Sequence, residues 1–267
     1  MARAKKSLGQ NFLLEPRIQT RIVEAIDPTP TDTVVEIGPG KGALTKHLAR
    51  RVHTVIAVEL DDILAQQLQH DFKEDTGVTI LHMDALDFEP AQYVHDIEAL
   101  KIVGNIPYNI TSPLLFHLLE RRHRPHSVVV MVQKEVATRI AAPPGSRDYG
   151  ALSIGIQSVA SVERLFNVPR GAFRPVPNVD SAVLRISPIR PFPMSESDEI
   201  ALRTFTRAAF QRRRKQLQTI LRTAPEYALS PDAARSLGAA TGLDLERRPE
   251  TLSIPELLLL TRALSHR

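Results

Sequence analysis

Along the first half of the chain, apolar and β-branched residues gather in five short blocks: Thr33–Ile37 (TVVEI), Val55–Leu60 (VIAVEL), Val78–Met83 (VTILHM), Lys101–Asn105 (KIVGN) and Ser127–Gln133 (SVVVMVQ). Each block has strand length and is apolar on both faces, as in a parallel sheet covered by helices. Between them, Ala43–Arg51, Asp62–Glu74 and Ser112–Arg122 carry apolar residues at helical spacing. Strand alternating with helix predicts a doubly wound α/β domain. Leu152–Ala160 and Ala182–Ser187 read as two further strands separated only by a loop. They bring the sheet to seven strands, mostly parallel, with an antiparallel, hairpin-like pair at its end.

Around Pro188–Pro193 (PIRPFP) the pattern changes, and no β-branched block follows. This predicts a boundary near residue 190, with an α/β domain over 1–190 and a smaller all-α domain over 191–267. The expected helices are about Glu196–Thr223, Asp232–Ala240 and Ile254–Leu264, punctuated by Pro225, Pro231, Gly242 and Pro249.

Composition narrows the possibilities. With no cysteine among 267 residues, a disulfide scaffold, a thiolate zinc site and a thiol nucleophile are excluded. Apolar runs such as Leu257–Leu260 are far shorter than the roughly 20 residues that cross a bilayer, and MARAKKSLGQNFL lacks the apolar stretch of an export signal. A cytoplasmic protein with no membrane partner is expected. The nine histidines are scattered, and His123-Arg124-Pro125-His126 lacks ligand spacing, so no metal is expected. The net charge of +4 is modest, but its distribution is informative. From Ile200 to Ala224 there is no acid, while Arg203, Arg207, Arg212, Arg213, Arg214, Lys215 and Arg222 fall inside; near the N-terminus Arg3, Lys5 and Lys6 precede the first acid, Glu15. Two acid-poor basic segments point to a polyanionic partner.

The candidate chemistry lies at strand ends. After the first block comes Gly38-Pro39-Gly40-Lys41-Gly42, whose glycines let the backbone turn and approach a ligand. No Gly-Lys-Ser/Thr follows, so the loop is not a phosphate-binding P-loop. Glu59, ending the second block, is placed to hold the two hydroxyls of a ribose. Asp84, after the third, can accept from an adenine amine. Together they indicate adenosine, which NAD and S-adenosyl-L-methionine share. The fourth block runs into Asn105-Ile106-Pro107-Tyr108. Here the Asn105 side-chain carbonyl and the Ile106 main-chain carbonyl can converge on one exocyclic amine, with Pro107 stiffening the loop and Tyr108 stacking on the base. That suits amine methylation, and it offers nothing to accept a hydride.

With EIGPGKGALT, VEL, MDAL and NIPYNI in this order, the sequence resembles the KsgA/RsmA family of S-adenosyl-L-methionine-dependent 16S rRNA adenine N6,N6-dimethyltransferases. Ser7-Leu8-Gly9-Gln10-Asn11-Phe12-Leu13 resembles the family's cofactor-lid motif (residues 1–14), which implies that Gln10 and Asn11 touch the cofactor. Phe173-Arg174-Pro175-Val176-Pro177-Asn178-Val179-Asp180-Ser181 resembles its F-x-P-x-P-x-V-x-S loop, implying that Phe173 packs on the target adenine opposite Tyr108. Phe210-Gln211-Arg212-Arg213-Arg214-Lys215 resembles its basic helix. The expected cofactor pocket also includes Leu13, Glu36, Leu60, Ala85 and Asn105. Arg207, Arg212, Arg213, Arg214, Lys215, Lys5 and Lys6 are the expected RNA contacts. The resemblance implies a monomer acting on two adjacent adenosines near the 3′ end of 16S rRNA, in the small ribosomal subunit or its precursor. Alternatives are the related erythromycin-resistance enzymes, which act on 23S rRNA, and a non-catalytic assembly factor on the same fold.

Overall fold

A computed structural model describes residues 10–120 and 123–265. The chain divides into two compact units, one of residues 1–137 and 160–188, the other of 138–159 and 189–267. In the first, β1 (Phe12–Leu13), α1 (Pro16–Glu24), β2 (Thr33–Ile37), α2 (Thr45–Leu48), β3 (Thr54–Glu59), α3 (Asp62–Asp71), β4 (Val78–His82), β5 (Lys101–Asn105), α4 (Thr111–Leu118) and β6 (Ser127–Gln133) lead into α5 (Lys134–Ile140), within which the division falls. The chain returns as β7 (Ala160–Val168), β8 (Phe173–Arg174) and β9 (Ser181–Pro188).

Seven strands form one sheet in the order β4-β3-β2-β5-β6-β9-β7, in which only β9 runs antiparallel to its neighbours. Successive strands step outward on one side as β2, β3 and β4, then jump back to β5 on the other side of β2. The crevice between β2 and β5 at their carboxyl ends is therefore the topological switch point, where open α/β sheets take their ligands. The two strands approach closely there: a Cβ on Gly104 would lie 2.6 Å from the Ile37 carbonyl oxygen, so β5 needs glycine at that position. On one face, Val34, Val103, Val129 and Val183 bury against Ile22, Val23 and Ile26.

Leu152–Ala160, expected as a strand, is instead α6 (Ala151–Gln157), and the strand begins at Ala160. The alternation of Leu152, Ile154 and Ile156 imitates a half-buried strand. All three are buried together with Ser153, because a helix enclosed on every side loses its period of 3.6 residues. The stretch 138–159 that contains it belongs to the second unit, an addition to the expected division, while the later division falls at 188/189, beside the expected boundary near residue 190.

The second unit continues with α7 (Glu196–Phe210), α8 (Leu217–Thr223), α9 (Pro231–Thr241) and α10 (Ile254–Ser265). Ser195 caps α7 in a reciprocal box with Asp198, and the Asp198 carboxylate accepts two bonds from Arg262 of α10. The single helix expected over Glu196–Thr223 is broken at residues 211–216. The main-chain N–H groups of Leu217 and Gln218 donate to the carbonyls of Arg247 and Leu245 at 2.9 Å each, and these tertiary bonds start a new helix where α7 would have continued. Among the described residues no helix is long and apolar enough to cross a membrane.

Candidate active site

The crevice at the switch point is lined by the glycine loop, the ends of β2, β3 and β5, the turn after β4, and the N-terminal segment. Gly40 has φ +61° and donates its N–H to Glu59 Oε2 at 3.0 Å, while Glu59 Oε1 accepts from the Asp61 N–H at 2.9 Å. Two backbone donors thus fix the carboxylate at the pocket wall, and each oxygen keeps a further lone pair for a ligand hydroxyl. Burial raises the Glu59 pKa, and the two backbone bonds oppose that rise. Glu36 is fully enclosed beside it and accepts from Thr45 Oγ1 at 2.6 Å; burial, aided by the nearby Glu59 charge, pushes its carboxyl up to about 8. Asp84 is half-buried, its Oδ1 held by the Leu86 N–H at 2.9 Å.

Gly38, Gly40, Leu60 and Ala85 also line the crevice. Gly42 does not: a Cβ there would meet Leu68 and Phe72 at 3.1 and 3.3 Å, so it serves packing against α3 rather than contact with a ligand.

The N-terminal segment crosses the crevice. Gln10 Nε2 donates to Asp61 Oδ2 at 3.0 Å, and Asp61 at the same time caps α3 through the N–H groups of Ile63 and Leu64. Phe12 lays its ring against Gly40, with Lys41 Nζ 4.8 Å from the ring centroid. Leu13 pairs with Phe173 across the small β1–β8 sheet, and its carbonyl accepts from Gln19 Nε2 at 2.9 Å. Asp61, Phe12, Lys41 and Met83 complete the lining or its fastening. Sequence reasoning missed them, although Asp61 before a helical run is a recognisable N-cap signal.

At the end of β5, Asn105 Nδ2 donates to the main-chain carbonyl of Asn11 at 3.0 Å. Ile106 donates its N–H to the Met131 carbonyl at 3.2 Å. The Pro107 carbonyl is taken up by the Ile110 N–H at 3.1 Å and Thr111 Oγ1 at 3.3 Å. Among the described residues nothing donates to Asn105 Oδ1 or to the Ile106 carbonyl, which leaves both as acceptors. Half-buried Tyr108 shares a 2.9 Å hydrogen bond with Ser181 Oγ at the start of β9; burial raises the phenol pKa, and the serine opposes it.

Phe173 departs from expectation. It is 0% exposed, enclosed with Leu13, Ile22, Val23, Met131 and Val183, and absent from the crevice wall. Its pairing with Leu13 turns the side chain into the core, so no face of the ring is open to a base in this structure.

The basic run is also rearranged. Residues 211–215 form a turn rather than a helix. Arg212 Nη1 donates to the Ala208 carbonyl at 3.3 Å, which closes the last turn of α7. Arg213 Nη2 donates to the Arg147 carbonyl at 2.7 Å and the Ser146 carbonyl at 3.4 Å. Arg207, Arg214 and Lys215 are exposed. Lys5 and Lys6 lie outside the described residues.

Elsewhere in the first unit, His117, Glu120 and His123 bring ligand-capable atoms within 4.8 Å of one another. His117 Nε2 donates to the Phe88 carbonyl at 2.8 Å, His123 Nδ1 donates to the His117 carbonyl at 3.0 Å, and His123 Nε2 shares a 2.6 Å hydrogen bond with the Glu89 carboxylate. These bonds tie the end of α4 to Phe88 and Glu89.

Comparison with known proteins adds the following. A family model described as ribosomal RNA adenine dimethylase matches residues 1–258. The ribosomal RNA small subunit methyltransferase A of Geobacter metallireducens is 41% identical over 264 residues, covering 98% of this chain and 96% of that protein. Among solved structures, a dimethyladenosine transferase from Plasmodium falciparum superposes with a TM-score of 0.78 at 25% identity, over 93% of this chain and 95% of that one. The 23S rRNA methyltransferase ErmE superposes with a TM-score of 0.72 at 26% identity, over 96% and 100%.

Proposed function

The chain belongs to the ribosomal RNA adenine dimethylase family, and from that membership we propose that its crevice binds S-adenosyl-L-methionine and an adenosine of 16S rRNA side by side. The enzyme dimethylates the N6 amines of two adjacent adenosines near the 3′ end of that RNA, in the small ribosomal subunit or its precursor, and works as a cytoplasmic monomer. Its helical unit assists in holding the RNA.

The residues fit the cofactor. Glu59 and Asp84 are carboxylates at the ends of successive strand units, backbone-fixed and with lone pairs to spare. Leu60 and Ala85 offer apolar walls beside them, a donor and surface set suited to ribose hydroxyls and a flat adenine. When bound, the cofactor supplies an electrophilic methyl group on a sulfonium.

The observation that carries the proposal is the pair of acceptors at the end of β5. An exocyclic adenine amine is a weak nucleophile because its lone pair is delocalised into the ring. Bonds from its two N–H groups to Asn105 Oδ1 and the Ile106 carbonyl draw the nitrogen toward tetrahedral geometry and free that lone pair. As positive charge grows on nitrogen during transfer, the two oxygen dipoles stabilise the transition state more than the ground state. Tyr108 stacks on the target base, its ring oriented by the Ser181 bond, and the stiff Ile106-Pro107 backbone keeps the amine in line with the incoming methyl group. The product loses its proton to water, so no strong base is required.

Small ribosomal subunits lacking the modification, incubated with labelled cofactor, should yield dimethyladenosine in digested 16S RNA, with large subunits silent. Label in the large-subunit RNA would move the assignment to the chemistry named for the 23S relative. Cofactor binding without any label would leave an assembly factor on this fold.

A further inference from the structure

The acceptor that this chemistry needs is one end of a carboxamide. The two ends of an asparagine side chain are nearly equal in shape and opposite in function. With Nδ2 toward the target amine, donor would face donor and the activating bond would be lost. Something must therefore fix the sense of the Asn105 carboxamide. In this structure it faces the main-chain carbonyl of Asn11 at 3.0 Å, from 94 residues away in sequence. A carbonyl only accepts, so the end it meets has to be Nδ2, which turns Oδ1 away.

We infer that Asn11 is a positioning residue: its main-chain carbonyl sets the sense of the Asn105 carboxamide, so the acceptor for the target amine is competent only while the N-terminal segment lies across the crevice. This rests on the function proposed above and adds a coupling between its two substrates. The carbonyl is well placed for the task because its neighbours on both sides are fastened. Gln10 is held by Asp61 at 3.0 Å. Phe12 is seated on Gly40, where an added Cβ would come within 3.2 Å of the ring, and Lys41 Nζ lies 4.8 Å from the ring centroid. Behind it, the Leu14 N–H donates to the Ala172 carbonyl at 2.8 Å and Gln19 Nε2 to the Leu13 carbonyl at 2.9 Å. Gly40 and Lys41, against which Phe12 rests, also line the cofactor side of the crevice. One seated strand therefore both borders the cofactor and orients the group that receives the base.

The test uses the full-length protein labelled with 15N-asparagine, with the Asn105 side-chain resonances assigned by their loss in Asn105→Asp. In the parent, bound to S-adenosylhomocysteine, the Asn105 amide protons should exchange slowly and be well separated in shift. Phe12→Ala unseats the segment while leaving the Asn11 carbonyl in the chain, and Phe12→Leu is the conservative control. At saturating cofactor, Phe12→Ala should lower kcat on unmodified small subunits at least tenfold, with RNA affinity unchanged and the Asn105 amide exchanging like an exposed one. Phe12→Leu should restore most of both. Removing residues 1–11 deletes the carbonyl outright and should also release the amide. Fast exchange in the parent, protection that survives this deletion, or full kcat at saturation with a released amide would each overturn the inference. A parent that protects the amide yet methylates no RNA would instead count against the proposed function alone.

Discussion

Glu36 offers a test of the site's electrostatics that needs no substrate. Glu36→Gln keeps the shape of the side chain and an oxygen to accept from Thr45 Oγ1, and removes only the ability to ionise. Moving the carboxyl from 4.5 to about 8 means that ionisation costs about 5 kcal/mol more in the fold than in the unfolded chain, at about 1.36 kcal/mol per pH unit. Relaxation of the surroundings lowers this, so about 2–5 kcal/mol is the working range. The sign follows from where the proton sits. Below 4.5 both states hold it and the pH has no hold on stability through this group; between 4.5 and 8 the fold keeps the proton and the unfolded chain has released it. Stability contributed by the protonated acid is thus fully present below 4.5 and is lost as pH rises toward 8, above which the slope ends. The glutamine variant has no such slope, and other titrating groups cancel in the difference. Urea unfolding of both proteins without cofactor, from pH 4.5 to 9, should show the variant gaining steadily on the parent up to pH 8 and levelling off beyond it. Parallel curves, or a gain confined to the region below pH 5, would refute a buried carboxyl with a raised pKa.

Four further outcomes follow from named side chains and strands. Asn105→Ala should leave cofactor and RNA binding nearly intact while turnover at saturation falls a hundredfold or more, about 3 kcal/mol of transition-state stabilisation; unchanged single-turnover rates would remove its role. Replacing Arg214 and Lys215 by glutamine should flatten the dependence of RNA affinity on salt, by roughly 0.7 to 0.9 in log–log slope for each phosphate that is no longer neutralised. Arg213→Gln should leave that slope unchanged and cost about 1–2 kcal/mol of stability, because its bonds go to the Ser146 and Arg147 carbonyls. Gly104→Ala should destabilise by more than about 3 kcal/mol, since the added carbon would press on the Ile37 carbonyl across the switch point; a wild-type melting curve would show that β2 and β5 can separate there without loss.

How much of this was legible in the sequence depended on the range over which each feature is decided. The five parallel strands could be read because β-branched blocks such as VIAVEL and SVVVMVQ carry their own preference and sit between helical patterns. The glycine loop, Glu59, Asp84 and the Asn105–Tyr108 turn could be read for the same reason, since each strand end is a local feature and the doubly wound order brings those ends together. What was misread is settled by packing. The run from Leu152 to Ile156 alternates like a strand and folds as an enclosed helix; the cationic turn after Phe210 looks helical until Leu217 and Gln218 find the carbonyls of Arg247 and Leu245. Phe173 follows the same pattern. Its motif suggested an open ring, whereas pairing with Leu13, distant in sequence, commits that ring to the core.

The same contrast explains why the N-terminal segment was harder to interpret than the strand ends. Its residues were recognisable as neighbours of a cofactor, but its bonds and packing run to Asp61, Gly40 and Asn105, each made by an element with a separate local reason to exist: a helix cap, a glycine turn and a strand terminus. Asp61 must cap α3 whether or not Gln10 is present, and Gly40 must take a positive φ whether or not Phe12 rests on it. The segment thus reads geometry that the sheet has already fixed. Its own contribution is a single main-chain oxygen, which no side-chain motif can announce, facing the amide of the residue on which the proposed chemistry depends.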